Sequence, residues 1–120
     1  MGRVSARRLE RLSHQLREDI SYLLRREISD PRLGRFISVT QVVISPDLKL
    51  AKIFVSVVGG EAEKRETLKG FQAATGFLRM RLSRLLDIRQ VPELSFQLDE
   101  SIEDGERVLD LINRLDSEVP

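Results

Sequence analysis

Residues 36–58 read FISVTQVVISPDLKLAKIFVSVV, and the architecture follows from this run. Phe36 to Ile44 and Leu50 to Val58 are rich in β-branched residues and mostly alternate in polarity, the pattern of strands buried on one face. Between them, Ser45-Pro46-Asp47-Leu48-Lys49 carries a proline, which fixes φ, and an aspartate, whose side chain bonds back to nearby backbone; both favour a turn. The reading is an antiparallel hairpin, ended by Gly59-Gly60.

Upstream, Leu9, Leu12, Leu16, Ile20, Leu23 and Leu24 fall on one side of a helix wound at ~100° per residue. An amphipathic helix is therefore expected from Ser5, its cap, to about Ser29, stopped by Asp30-Pro31, because proline disfavours helical geometry in the residue before it. Pro31 to Arg35 then forms a tight basic loop. Downstream, Glu61 to Leu86 is helical in composition but is interrupted by Ala73-Ala74-Thr75-Gly76, where a kink into two helices is expected. Leu78, Leu82 and Leu85 are read as the packing face beyond the kink. Glu93 to Asp99 alternates as a third strand, and a helical crossover places it parallel to the second strand. Ile102, Leu109, Ile112 and Leu115 recur at helical spacing in an acidic tail, a helix that can dock weakly or fray. The expected fold is α+β, in the order α-β-β-α-kink-α-β, with a three-stranded mixed sheet, its helices on one face, and a short C-terminal helix. Residues 1–100 form the domain and residues 101–120 the tail.

The chain has 120 residues, 41% hydrophobic and 32% charged, which suits a single compact domain. The absence of cysteine excludes disulfides, thiolate metal sites and cysteine nucleophiles. His14 has no second histidine or cysteine with which to share a metal and is read as a surface residue; no cofactor is expected. No apolar run approaches the ~18 residues of a membrane span, and Met1 to Arg11 has no hydrophobic core of the secretory kind, so a soluble cytoplasmic protein is expected.

Charge is unevenly distributed. Residues 1–90 hold 18 lysines and arginines against 10 carboxylates, a net of +8, whereas residues 91–120 hold 2 against 9, a net of −7. Sixteen of the 20 basic residues are arginine, whose planar fork of donors matches phosphate oxygens, so a polyanion is the first partner to test. On helix 1, Arg7, Arg11, His14 and Arg25 lie opposite the leucines, although Glu10 and Glu18 make an ordinary solvated helix a serious competitor. Beyond the kink, Phe77, Arg81 and Arg84 share a face, and with Arg79 and Arg89 they concentrate four arginines against Asp87. A helix starting at the kink would also offer unpaired backbone N–H groups to a phosphate; the alternative is close helix-to-sheet packing with no ligand. The phenylalanines are read as core in the main, which favours backbone recognition over base stacking. GGEAEK, residues 59–64, lacks the spacing of a nucleotide cradle and is read as a turn. Asp99, Glu100, Glu103 and Asp104 have oxygens enough for magnesium, but an acidic tail repels nucleic acid, and the helix dipole explains them better than a nuclease does.

Five groups of residues, in order, carry a resemblance over about Arg8 to Leu115. They are Arg8-x-x-Arg11-Leu12; Asp30-Pro31-Arg32-Leu33-Gly34; Val39-Thr40-x-Val42 with Ser45-x-Asp47-Leu48 and Ala51-Lys52; Ala74-Thr75-Gly76-Phe77-Leu78-Arg79; and Arg89-x-x-Pro92-Glu93-Leu94-x-Phe96-x-x-Asp99. Through them the chain resembles the ribosome-binding factor A family of bacterial small-subunit assembly factors. The resemblance implies a type II KH-like fold, in which Ala74-Thr75-Gly76 stands as an interhelical kink where KH domains carry a Gly-x-x-Gly loop. It implies a non-catalytic factor that binds the immature small ribosomal subunit through its rRNA; a monomer with no membrane association is expected. It also implies support for late maturation and precursor rRNA processing, and an association with growth in the cold. The RNA-binding residues expected from charge and resemblance together are Arg7, Arg8, Arg11, Arg32, Arg79, Arg81, Arg84 and Arg89. A protein-interaction adaptor with incidental RNA affinity is the competing reading.

Overall fold

The computed structural model describes residues 5–33, 37–86 and 88–100. Helix α1 (Ala6–Arg26) precedes strands β1 (Ile37–Ile44) and β2 (Leu50–Val57), which are followed by helix α2 (Glu61–Leu85) and strand β3 (Glu93–Leu98). The expected tail helix lies outside the described residues, as do Gly34, Arg35 and Asp87.

The sheet has the order β1-β2-β3, antiparallel between β1 and β2 and parallel between β2 and β3, as the hairpin and crossover predict. Alternation along β2 sends Ala51, Ile53, Val55 and Val57 to the helix-covered face, where they are buried with Leu16, Ile20 and Leu23 of α1 and Phe71, Leu78 and Leu82 of α2. Phe71 stacks on Phe96 of β3 with ring centroids 4.3 Å apart, slightly closer than the ~4.5–7 Å usual for aromatic pairs. Phe54, expected in the core, is only half buried, because its register turns it to the opposite face of β2 from Ile53 and Val55.

β1 departs from regular pairing between Val39 and Gln41, leaving Thr40 as the extra residue of a bulge. The freed Thr40 hydroxyl reaches the Phe54 carbonyl at 3.3 Å and the Asp99 carboxylate at 2.6 Å, so β1 is tied to the residue after β3 across the central strand.

Both helices begin as their sequences dictate. Ser5 Oγ accepts from the Arg8 N–H at 3.3 Å, and Glu63 reaches back to accept from the Gly60 N–H at 2.9 Å. α1 ends at Arg26, three residues short of the expected stop: the Glu27 and Ile28 N–H groups both donate to the Leu23 carbonyl, and this turn brings Ile28 against the core.

The break expected at Ala73 to Gly76 is absent. α2 is helical throughout its 25 residues, and the Thr75 hydroxyl donates to the Phe71 carbonyl one turn back at 2.9 Å, satisfying itself within the continuous helix. No helix therefore starts at Gly76, and the backbone N–H groups expected to be free there are not. The close approach is instead at Gly70, where an added Cβ would lie 3.1 Å from Arg32 Cβ and from Leu33 Cγ. At Gly76 an added Cβ meets nothing within 4 Å. The packing face of α2 also ends differently: Leu85 is 46% exposed, and Leu86, just past the helix, is buried in its place.

Candidate nucleic-acid interface

The hairpin turn is built by its own side chains. Asp47 accepts from Ser45 Oγ at 2.7 Å and from the Lys49 N–H at 3.0 Å, and the Ser45 hydroxyl accepts from the Leu50 N–H at 3.0 Å. The two bonds that Asp47 accepts, the Ser45 hydroxyl's first, hold its carboxyl below its ordinary pKa. Leu48 follows at φ 62°, a left-handed conformation uncommon for a non-glycine residue, while its N–H donates to the Ser45 carbonyl at 2.8 Å. The turn thereby sets Leu48 and Lys49 at the edge of a cleft facing α2 and the segment between α2 and β3.

The far side of that cleft holds Thr75, Arg79, Ile88 and Arg89. Arg79 is half buried; one terminal nitrogen donates to the Val91 carbonyl at 3.0 Å, and its Nε is buried without a partner among the described residues. Arg79 thus fastens the connection into β3 while remaining in the cleft wall. Arg7, Arg11 and His14 line a separate shallow groove with Glu10 and Gln15, on the side of α1 away from its leucines. This gathers Arg7, Arg11 and His14 of the expected basic face, interrupted by Glu10, whereas Arg25 lies in a different groove with Leu24, Ile28 and Leu33.

The structure divides the eight expected arginines. Arg7, Arg8, Arg11, Arg84 and Arg89 are exposed, and no ion pair to another described residue engages them. Arg32 is committed to Asp30, with nitrogen and oxygen 2.7 Å apart, a bond that lowers the pKa of Asp30 and raises that of Arg32. Arg81 is committed to Glu27 at 2.9 Å. Ala74 and Thr75 are half buried and Gly76 is exposed, on an unbroken helix. Sequence reasoning missed Lys49, treated only as part of the turn, and missed Glu27 as the partner of Arg81. The residues 27 and 81 are 54 apart, beyond any helical spacing rule.

Among the described residues no group of three or more His, Cys, Asp or Glu is placed to hold a metal ion, and no helix is long and apolar enough to cross a membrane.

The order α-β-β-α-β, with a mixed sheet and both helices on one face, defines an α+β domain of the KH-like class. The chain belongs to the ribosome-binding factor A family, whose model matches residues 8–112. It is 47% identical over 108 residues to the ribosome-binding factor A of Dictyoglomus thermophilum, covering 90% of each chain. It is 43% identical over 106 residues to that of Acetivibrio thermocellus, covering 88% of this chain and 86% of the other. Among solved structures, a solution NMR structure of a Thermotoga maritima protein matches with TM-score 0.72 and 30% identity, covering 83% of this chain and 94% of the other. The crystal structure of Thermus thermophilus ribosome-binding factor A matches with TM-score 0.69 and 24% identity, over 78% and 97% of the two chains. The Thermus protein as fitted into a cryo-EM map of its 30S complex matches with TM-score 0.58 at 24% identity, over 81% and 97%.

Proposed function

We propose that this protein binds the immature small ribosomal subunit through its rRNA and supports late maturation and precursor rRNA processing without catalysing a reaction. The observation that carries the reading is the set of exposed guanidinium groups that no carboxylate among the described residues pairs, on a chain of this family: Arg7, Arg8 and Arg11 on α1, Arg84 on α2 and Arg89 beyond it. A guanidinium already held by a carboxylate offers less to a phosphate, so Arg32 and Arg81 contribute mainly to the scaffold. The Thermus relative, described in a complex with the 30S subunit, supports the choice of partner. Phosphate contacts position a protein on RNA, and a rigid scaffold that presents them can hold one local RNA conformation without chemistry.

Two measurements test this. If ~5 phosphates of a largely single-stranded segment are neutralised, log K falls with log salt at a slope of about −3.5; a slope near zero contradicts the reading. Crosslinking of the protein to ribosomal particles should recover immature small subunits in preference to mature ones, and equal recovery would remove the maturation step from the proposal.

A second reading, a protein-interaction adaptor, is favoured by Phe77 and Met80, which are 37% and 43% exposed on α2. It predicts that an Arg7, Arg11, Arg84 and Arg89 alanine variant keeps its ribosomal association. These four are the informative choice, because Arg79 and Arg81 also hold the fold together.

A further inference from the structure

The cleft beside the hairpin turn has features that gripping a phosphate leaves unused. Leu48, Ile88 and Leu94 give it aliphatic walls, while Lys49, Arg79 and Arg89 bring cationic groups to the same space. Its volume, about 670 Å³, lies within the ~300–1,000 Å³ of small-molecule sites, far more than one phosphate group needs. Leu48 occupies its place at φ 62°, where glycine or asparagine would be relaxed, so the chain holds an apolar side chain at the cleft against its backbone preference. The Nε of Arg79 is a buried donor with no acceptor among the described residues. Glu93, exposed at the start of β3, adds a carboxylate, a group that only accepts hydrogen bonds when ionised.

The geometry points to a seat for one unstacked nucleotide of the bound RNA, carrying a base with an exocyclic amino group, which sets cytosine, adenine and guanine apart from uracil. The inference rests on the RNA-binding reading above and deepens it. Lys49 and Arg89 take the nucleotide's phosphate, as ammonium and guanidinium groups do. The base lies against the apolar walls, with the Arg89 guanidinium plane available to stack on it, as single-stranded RNA is commonly held. Glu93 accepts from the exocyclic amino group on the base edge. Uracil has no exocyclic amino group; its one edge donor, N3–H, sits between two carbonyl oxygens that repel a carboxylate, and that difference supplies the discrimination. Asp47 does not compete for the amino group, since its carboxylate is engaged by Ser45 and the Lys49 N–H.

The test is an NMR titration of the full chain, following the methyl groups of Leu48, Ile88 and Leu94, with short oligocytidylate and oligouridylate as probes. Expected are shifts at these methyls with oligocytidylate, at an affinity about 10-fold above that for oligouridylate. Glu93→Ala, an exposed position, should erase the preference, and Arg89→Ala should weaken oligocytidylate about 10-fold. Binding that shifts α1 resonances while the three methyls stay still, or equal affinity for both oligomers, overturns the nucleotide seat and leaves the RNA-binding reading intact. Absence of binding to either oligomer and to small-subunit rRNA overturns both.

Discussion

Arg81 and Glu27 join the two helices, with a guanidinium nitrogen 2.9 Å from a carboxylate oxygen at the position where α1 ends and the chain turns toward the sheet. Both side chains are under a third exposed, so the pair is better shielded than a typical surface contact but still solvated.

The first prediction separates this arginine from its neighbour one turn on. A double-mutant cycle of Arg81→Ala and Glu27→Ala should give a coupling of about 0.5–1 kcal/mol by urea denaturation, while Arg81→Ala leaves the salt slope of RNA binding almost unchanged. Arg84→Ala should have little effect on stability and should reduce the magnitude of that slope by about 0.7. The opposite assignment of the two effects would mean that Arg81, not Arg84, faces the RNA.

The second prediction contrasts two glycines of α2. Replacing a glycine in a helix by alanine ordinarily gains up to ~1 kcal/mol, and Gly76→Ala should realise it, because the new methyl meets nothing within 4 Å. At Gly70 the methyl would press on Arg32 Cβ and Leu33, a contact costing about 1–3 kcal/mol that offsets or exceeds the gain. Thermal unfolding of the two variants checks this. A destabilised Gly76→Ala would show that Gly76 has a conformational role that an unbroken helix does not require.

These glycines also show how far the sequence could be read. The hairpin was legible in residues 36–58 because alternation and turn chemistry are local, and the parallel placement of β3 followed from the handedness of crossovers. The continuity of α2 was not, because helix propensity in a small-residue run is a weak prior that packing of Phe71, Leu78 and Leu82 on the sheet overrides. The arginines were legible as a set, but their division into free and committed groups was not. Asp30 and Arg32 are near in sequence, yet Arg81 meets Glu27, and Arg79 meets the Val91 carbonyl, only through the tertiary fold.

A third prediction concerns the bulge in β1. Thr40→Val keeps the side-chain volume but removes the hydroxyl that donates to Asp99 at 2.6 Å, and leaves a partly buried carboxylate without that donor. The cost should be about 1–3 kcal/mol, seen as a lower urea midpoint with an unchanged m-value. A neutral result would show that Asp99 is satisfied by its other interactions.

A fourth prediction addresses residues 101–120, which hold six carboxylates against two arginines. We propose that this acidic segment competes with RNA for the basic surface. Removing it should raise affinity for unrelated RNA several-fold at low salt, with the gain fading as salt screens the competition. Unchanged nonspecific affinity would reject the competition.

The last prediction uses acid titration, where two aspartates act with opposite sign. Asp30 has its pKa lowered from 3.8, chiefly by the Arg32 hydrogen bond, so its contribution favours folding above the ordinary value and is lost as pH falls through the lowered folded value. Asp19 has its pKa raised from 3.8, chiefly by burial, with the hydrogen bond from Gln15 opposing; one of its oxygens is buried without a partner among the described residues. Its charge therefore opposes folding above the raised folded value, and the penalty fades as pH falls through that value and is gone below the ordinary one. At neutral pH, Asp30→Asn should be less stable than the parent and Asp19→Asn more stable, and both differences should shrink on acidification, Asp19's at higher pH than Asp30's. Urea denaturation across this range measures both, and a difference for either variant that is independent of pH would disconnect it from the titration of that carboxyl group.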